Sequence, residues 1–280
     1  MRAFRFGVSL RSVDGEFVAK CRQAEEFGYD VITIPDHLGA PAPFPAVTAA
    51  AVATSRVHVG PLVLNVPFYN PALLARDVES TTKIVGDRFE LGVGAGHMKA
   101  EFDSAGLPWW PAKQRIEYLD STLAQLRERL DSLPPLLIAG NSDGVLNLAA
   151  EQADIVGFAG LKQAPGRPPG NFLLASAAEL AERAAFVRSR TQAAEFNMLV
   201  QQVIVAEDPR PRLADWLSRI PGATQTVDDL LAAPQILAGT VGRIAETLLE
   251  RRERFGFSYV TVFEPFMADF APVIKALSGR

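Results

Sequence analysis

The chain has 280 residues, 48% of them hydrophobic and 21% charged, with a formal net charge of −4. A chain of this size and composition can bury a large core, and its acidic balance gives no general attraction to nucleic acid or to an anionic membrane. There is one cysteine, Cys21, hence no internal disulfide, and no uncharged apolar run reaches the roughly 18 residues of a membrane span.

The chain enters a strand pattern at residues 4–10 with no apolar leader ahead of it, so a cytoplasmic protein is expected. Asp14 is placed to cap a helix running to about residue 27, which Gly28 ends. Phe17, Val18, Cys21 and Ala24 form the apolar stripe of that helix, so Cys21 reads as a packed thiol. Residues 31–34 form a second strand, closed by Pro35-Asp36-His37, and Pro45 opens an alanine-rich helix to about residue 55. A third strand spans 57–64, Pro71 opens a helix to residue 85, and Gly86-Asp87 turns into a fourth strand at 89–93. Residues 97–111 read as a loop rich in Gly, Pro and Trp, followed by a helix over 113–130 with Ile116, Leu119, Leu123 and Leu126 on one face. Then come a fifth strand at 136–139, a helix at 145–153, a sixth strand at 155–158 and a Pro- and Gly-rich loop at 160–171. A helix at 177–190, a seventh strand at 196–205, about 50 mostly helical residues, an eighth strand at 259–263 and a last helix at 272–277 complete the pattern.

Strands separated by crossovers this long must pair in parallel, and continuous apolar strands are covered on both faces. A doubly wound open sheet could absorb the pattern. Eight consecutive units closing into one ring favour a (β/α)8 TIM barrel, read as one domain over residues 1–280 with insertions near 97–111, 161–176 and 206–238. Reacting groups of such a barrel lie where strands end. That rule selects Ser9, Leu10, Asp36, His37, Asn65, Gly94 to His97, Gly140-Asn141-Ser142, Gly160 and Glu264.

Gly92-Val93-Gly94-Ala95-Gly96 is no dinucleotide fingerprint, because His97 holds the place of the last glycine. Its glycines would let backbone approach a flat ring or a phosphate; the alternative is a tight strand end without a ligand. Gly140-Asn141-Ser142 before a helix reads equally as an anion site or as an ordinary N-cap. His37 beside Asp36 could exchange a proton near neutral pH, with Asp36 orienting or charging it, and His97 is the second candidate acid or base. His58, inside the third strand, reads as a satisfied core residue. The three histidines lack metal-ligand spacing, and neither a nucleophile elbow nor a phosphate-binding loop motif occurs. Trp109 and Trp110 either cover an active-site mouth or pack the loop onto the barrel, and Phe44 and Phe68 are expected near the opening.

Several segments together resemble the luciferase-like flavin and deazaflavin oxidoreductases. They are Gly28-Tyr29-Asp30 into Pro35-Asp36-His37, Asn70-Pro71 through Thr81, Gly86-Asp87-Arg88-Phe89-Glu90-Leu91 into the glycine run, and Glu101-Phe102 with Gly106. Ala139-Gly140-Asn141 through Ala153-Asp154 and Gly239-Thr240 through Gly256 continue the likeness. The resemblance implies a barrel holding F420, a deazaflavin, at its C-terminal face, with FMN as the alternative cofactor. It implies a strand-three bulge behind the ring, often with a non-proline cis peptide, by position near Leu62-Val63. It further implies cofactor contacts from Asp36 and His37, from Ala95, Gly96 and His97, and from Ala139, Gly140 and Asn141. An acidic cofactor tail would run toward Lys99, Lys162 and Arg167. A glutamate follows the strand-four glycines in the sugar-phosphate dehydrogenase branch; His97 stands there here, which argues against sugar-phosphate oxidation.

The expected function is hydride transfer between F420 and a small organic substrate, with His37 exchanging the accompanying proton. The alternatives are a two-component FMN monooxygenase and a non-catalytic flavin- or ligand-binding barrel. Expected partners are the small-molecule substrate and a separate cofactor reductase, without nucleic acid or membrane; members often form a homodimer.

Overall fold

The computed structural model describes residues 2–220 and 225–280. Its strands are β1 (Arg5–Ser9), β2 (Val31–Ile34), β3 (His58–Pro61), β4 (Leu64–Asn65), β5 (Leu91–Gly94), β6 (Leu136–Ala139), β7 (Ile155–Phe158), β8 (Leu161–Gln163), β9 (Phe172–Leu174), β10 (Glu195–Leu199), β11 (Gln202–Val205), β12 (Ile236–Gly239) and β13 (Phe257–Phe263). The helices are α1 (Phe17–Glu26), α2 (Pro43–Ala53), α3 (Pro71–Val85), α4 (Lys99–Ala105), α5 (Ala112–Arg129), α6 (Asp143–Gln152), α7 (Ala177–Arg188), α8 (Arg210–Ser218), α9 (Val227–Ala232), α10 (Val241–Phe255) and α11 (Met267–Leu277).

Nine strands form one parallel sheet in the order β3-β2-β1-β13-β10-β7-β6-β5-β4. The two end strands, β3 and β4, are halves of the single third strand expected at 57–64, and a cis peptide joins Leu62 to Val63 between them. One half pairs with β2, the other with β5, and Val59 bridges to Phe89, so the sheet closes into an eight-membered barrel. The bulge expected from resemblance therefore stands at the expected residues.

The glycine run has its physical reason here. A Cβ on Gly92 would sit 2.0 Å from the Pro61 carbonyl oxygen, one on Gly60 2.1 Å from that of Glu90, and one on Gly94 2.9 Å from Val63 Cγ2. None of these distances is tolerable for a side chain, so Gly60, Gly92 and Gly94 are what allow the broken third strand to lie against the fourth. At Gly92 close packing of the two strands replaces the expected approach to a ring or phosphate.

Apolar side chains fill both sides of the ring. Val31, Leu137, Ile155 and Tyr259 pack together with Leu62, Val63 and Ala139, while the main core lies between sheet and helices. Leu119, Leu123 and Leu126 of α5 are fully buried, as their spacing predicts. Cys21 is fully buried, and burial pushes its thiol up to about 12, so it is packed rather than reactive.

Other expectations shift. Asp14 accepts a hydrogen bond from Glu16 N–H but is not the N-cap of α1, which begins at Phe17. The α2 helix starts at Pro43 rather than Pro45. The 97–111 loop contains α4, and the 160–171 loop opens an antiparallel hairpin of β8 and β9. The seventh strand divides: β10 stays in the barrel, while β11 leaves it and pairs in parallel with β12. The 206–238 insertion, of which residues 221–224 lie outside the described residues, holds α8, α9 and most of β12. Leu213, Leu230, Ala233 and Ile236 form an apolar cluster there with Leu174 and Ile204. His58 is not a core residue. It begins β3 half-exposed, its Nδ1 2.9 Å from Glu90 Oε1, in an ionic cluster with Arg5 and Glu195. No described helix is long and apolar enough to cross a membrane.

Candidate active site

The C-terminal ends of the barrel strands surround a cavity of about 670 Å³, inside the range that ligand pockets occupy. All ten residues expected at a cofactor line it: Asp36, His37, Leu62, Val63, Ala95, Gly96, His97, Ala139, Gly140 and Asn141. The broken third strand supplies Leu62 and Val63, β5 and its following turn Ala95 to His97, and the end of β6 Ala139 to Asn141. Among the other strand-end residues, Ser9, Asn65, Gly94 and Ser142 also line it. Leu10, Gly160 and Glu264 do not: Leu10 is fully buried, Gly160 packs against Gln235, and Glu264 forms an ion pair with Lys20 at 2.8 Å.

The polar groups divide the work differently from what chain order suggests. Asp36 turns away from its neighbour His37: its Oδ2 accepts from the Asn65 backbone N–H at 2.8 Å and from the Tyr69 hydroxyl at 3.0 Å. Asp36 thus ties the end of the second strand to the end of the third, and the orienting role expected for it is corrected. Burial raises its pKa above the ordinary carboxylate value, while those two donors pull the other way.

The group that holds His37 is Glu101, on the first turn of α4, 2.8 Å from His37 Nδ1. A carboxylate only accepts, so the proton of a neutral His37 ring resides on Nδ1 and Nε2 is left as the basic nitrogen. Glu101 belongs to the motif that carried the resemblance, but its sequence distance of 64 residues from His37 concealed the pairing.

The rings of His97 and His37 meet edge to face with centroids 5.4 Å apart, and Phe172 from the hairpin lies 5.4 Å from His97 on the other side. Crowding by these neighbours, then the charges of His37 and Arg115, push His97 down to about 4. The ring nevertheless keeps surface open to the cavity, so solvent moderates the size of this shift. Its direction makes His97 neutral at neutral pH, which suits it to accept a proton or donate one N–H and removes it as an imidazolium acid.

Arg115 is the main residue that the sequence reading passed over. It is buried and lines the cavity; its Nε donates to the Ala95 carbonyl at 3.1 Å, and Nη1 donates to the Trp110 carbonyl. Its guanidinium lies 3.7 Å from the Trp109 ring centroid. Trp109 lines the cavity and packs edge to face on Phe102, whereas Trp110 packs on Tyr118. Both readings of the tryptophans therefore hold, one for each ring. The available signal was position: Arg115 lies four residues before Leu119 on the buried stripe of α5. Asn197 was equally legible, a polar residue inside an apolar strand. It lines the cavity and donates to Thr261 Oγ1 at 2.8 Å.

Phe44 and Phe68 do not reach the cavity; they pack on Tyr69 and Phe102. Of the expected basic residues, Lys162 lines the cavity but is paired with Glu179 at 2.6 Å. Lys99 is paired with Asp103, and neither it nor Arg167 lines the cavity. Ser142 is the N-cap of α6, accepting from Val145 N–H, so the ordinary reading of that turn holds; the helix still starts at the cavity wall.

The residues present suit a flat heterocycle with an anionic tail. Leu62, Val63, Ala95, Ala139 and Phe158 give an apolar wall. The Asn65 Oδ1 atom is buried without a hydrogen-bond partner behind Gly96, so it is not presented to the cavity. The start of α6 offers a positive dipole end.

Comparison with known proteins agrees with this geometry. The profile of a family described as luciferase-like monooxygenase matches residues 11–209. An F420-dependent glucose-6-phosphate dehydrogenase from Kribbella flavida is 36% identical over 123 residues, which cover 41% of this chain and 35% of that protein. The match thus spans about a third of that relative's length. An F420-dependent secondary alcohol dehydrogenase solved with an F420–acetone adduct has the same fold, with a TM-score of 0.73 and 16% identity, covering 99% of both chains. A long-chain alkane monooxygenase superposes with a TM-score of 0.75 at 11% identity, covering 99% of this chain and 91% of that one.

Proposed function

Because the chain belongs to the luciferase-like monooxygenase family, we propose that it is an F420-dependent oxidoreductase acting on a small organic substrate. The observation that carries this reading is the His37–Glu101 pair in a cavity that the apolar side chains of Leu62, Val63, Ala95, Ala139 and Phe158 also line. When bound, a deazaflavin supplies or accepts a hydride. The chain's own residues do the rest. Leu62, Val63 and Ala139 would seat the ring, and Arg115 with the start of α6 would draw its acidic portion. His37 Nε2 takes the proton that leaves a substrate hydroxyl during oxidation, or returns it during reduction, and Glu101 fixes its tautomer. Neutral His97 orients the reacting oxygen through its N–H or lone pair. A separate enzyme that resets the cofactor's redox state belongs to this reading.

Titration of the purified protein with F420 and with FMN, followed by fluorescence, tests it. Saturable binding of F420 that is at least ten times tighter than FMN is the expected result. In His37→Ala, turnover falls by about 10²–10⁴ while F420 affinity stays within a few-fold. Full turnover in that variant overturns the proton-transfer role, and binding of neither cofactor overturns the cofactor assignment.

A second reading, an FMN-dependent monooxygenase, draws on the alkane monooxygenase neighbour. Preference for FMN together with substrate-dependent oxygen consumption would decide for it.

A further inference from the structure

A second cavity, of about 260 Å³, lies at the opposite, N-terminal end of the barrel, where β10 and β13 begin. Three arginines line it: Arg2, Arg188 and Arg252. Among the described residues none of the three has a carboxylate within ion-pair distance, in a protein whose net charge is −4. The one carboxylate in the wall, Glu195, is already occupied: Oε2 is 2.7 Å from Arg5 Nη1 and Oε1 is 3.5 Å from Ser258 Oγ.

Each guanidinium makes one hydrogen bond to a backbone carbonyl. Arg2 donates to the Ala193 carbonyl, Arg188 Nη2 to the Arg254 carbonyl at 3.2 Å, and Arg252 Nη1 to the Arg2 carbonyl at 3.2 Å. Arg252 also lies 4.2 Å from the Phe4 ring centroid. Each arginine has five donors, so several remain. Arg252 Nε is buried with no hydrogen-bond partner and no surface toward the cavity, so the donors that remain are on the Nη groups. Thr191 and Ser258 add hydroxyls to the same wall.

We propose that this cavity is an anion site that takes a phosphate group. Three guanidiniums without an ion-pair partner line one cavity, and their planar donor forks match phosphate oxygens better than they match a spherical ion. At roughly 30 Å³ per water, the cavity holds a phosphate with part of a small ester, and is too small for a whole nucleotide. The site is on the face away from the candidate active site and does not depend on the function proposed for that one.

Thermal unfolding of the full chain in sodium phosphate, against sodium chloride at equal ionic strength, tests the proposal. Phosphate at ten times its half-saturating concentration raises Tm by roughly 2–3 °C beyond chloride. Arg188→Gln abolishes that increment. If Arg188→Gln does not fold, Arg2→Gln, at an exposed position, reduces it at least several-fold. Ser142→Ala, at the helix start in the other cavity, leaves it intact. A glycerol phosphate titration distinguishes the sources: at least tenfold tighter binding, lost in Arg188→Gln, identifies an organic phosphate, and equal or weaker binding identifies inorganic phosphate. A Tm rise no larger than that in chloride, an increment retained in both arginine variants, or one lost in Ser142→Ala would overturn it.

Discussion

Gly92→Ala is the perturbation with the least room for escape. The added methyl carbon would stand 2.0 Å from the Pro61 oxygen, 3.1 Å from its carbonyl carbon and 3.2 Å from Val63 Cγ1. Ordinary contact begins near 3.4 Å, so two backbone segments must separate by more than 1 Å. Neither can yield alone: β3 is hydrogen-bonded to β2, β5 to β6, and Val59 bridges to Phe89. Overpacking a core side chain typically costs about 1–3 kcal/mol. Here the obstacle is backbone, so the expected loss is at least about 3 kcal/mol, which for a chain of this size lowers Tm by roughly 5 °C or more. Because Leu62 and Val63 form the cavity wall, F420 affinity should fall together with stability. Gly15→Ala is the control, since nothing lies within 4 Å of its added carbon and its φ is not positive. Denaturation curves of the three proteins in urea provide the comparison. A Gly92→Ala protein within about 0.5 kcal/mol of wild type would refute the account of why these glycines are there.

The other predictions concern the polar groups of the cavity. Asp36→Ala leaves the Asn65 N–H and the Tyr69 hydroxyl without their acceptor and should cost about 1–3 kcal/mol in urea unfolding; a neutral result would show that water replaces the carboxylate. His97, held down at about 4 against 6.5 when unfolded, binds its proton more readily in the unfolded chain. Its contribution to stability is therefore complete above pH 6.5 and is lost as the pH falls toward 4. Discounted for its contact with solvent, the loss is about 1 kcal/mol at pH 5, and His97→Gln should show a correspondingly shallower fall between pH 7 and 5; an unchanged pH profile would contradict it. Glu101→Gln presents His37 with a group able to donate as well as accept, which frees the tautomer. Turnover should fall on the order of 10²-fold with F420 affinity nearly constant, and an equal loss of affinity would mean that Glu101 holds the cofactor instead.

Much of this protein was present in the order of its residues. Periodicity, helix-starting prolines and the alternation of apolar runs with helices determine a parallel sheet, because each strand is covered on both faces and each crossover is too long for a hairpin; its closure into a barrel shows only in the pairing of the broken third strand with β2 and β5. Chain order also places Asp36, His37, the Ala95 to His97 turn and the Ala139 to Asn141 turn at strand ends, and barrel closure alone gathers them around one cavity. Tertiary structure decided what those groups do. Asp36 and His37 are adjacent in sequence, yet successive side chains of an extended segment point apart, so Asp36 serves the third strand and His37 is left for Glu101. The glycine run is explained by a carbonyl 31 positions earlier in the chain, and Arg115 by a tryptophan loop folded back over it. Such contacts depend on which segments the closed ring brings together, and local patterning carries no record of those distances.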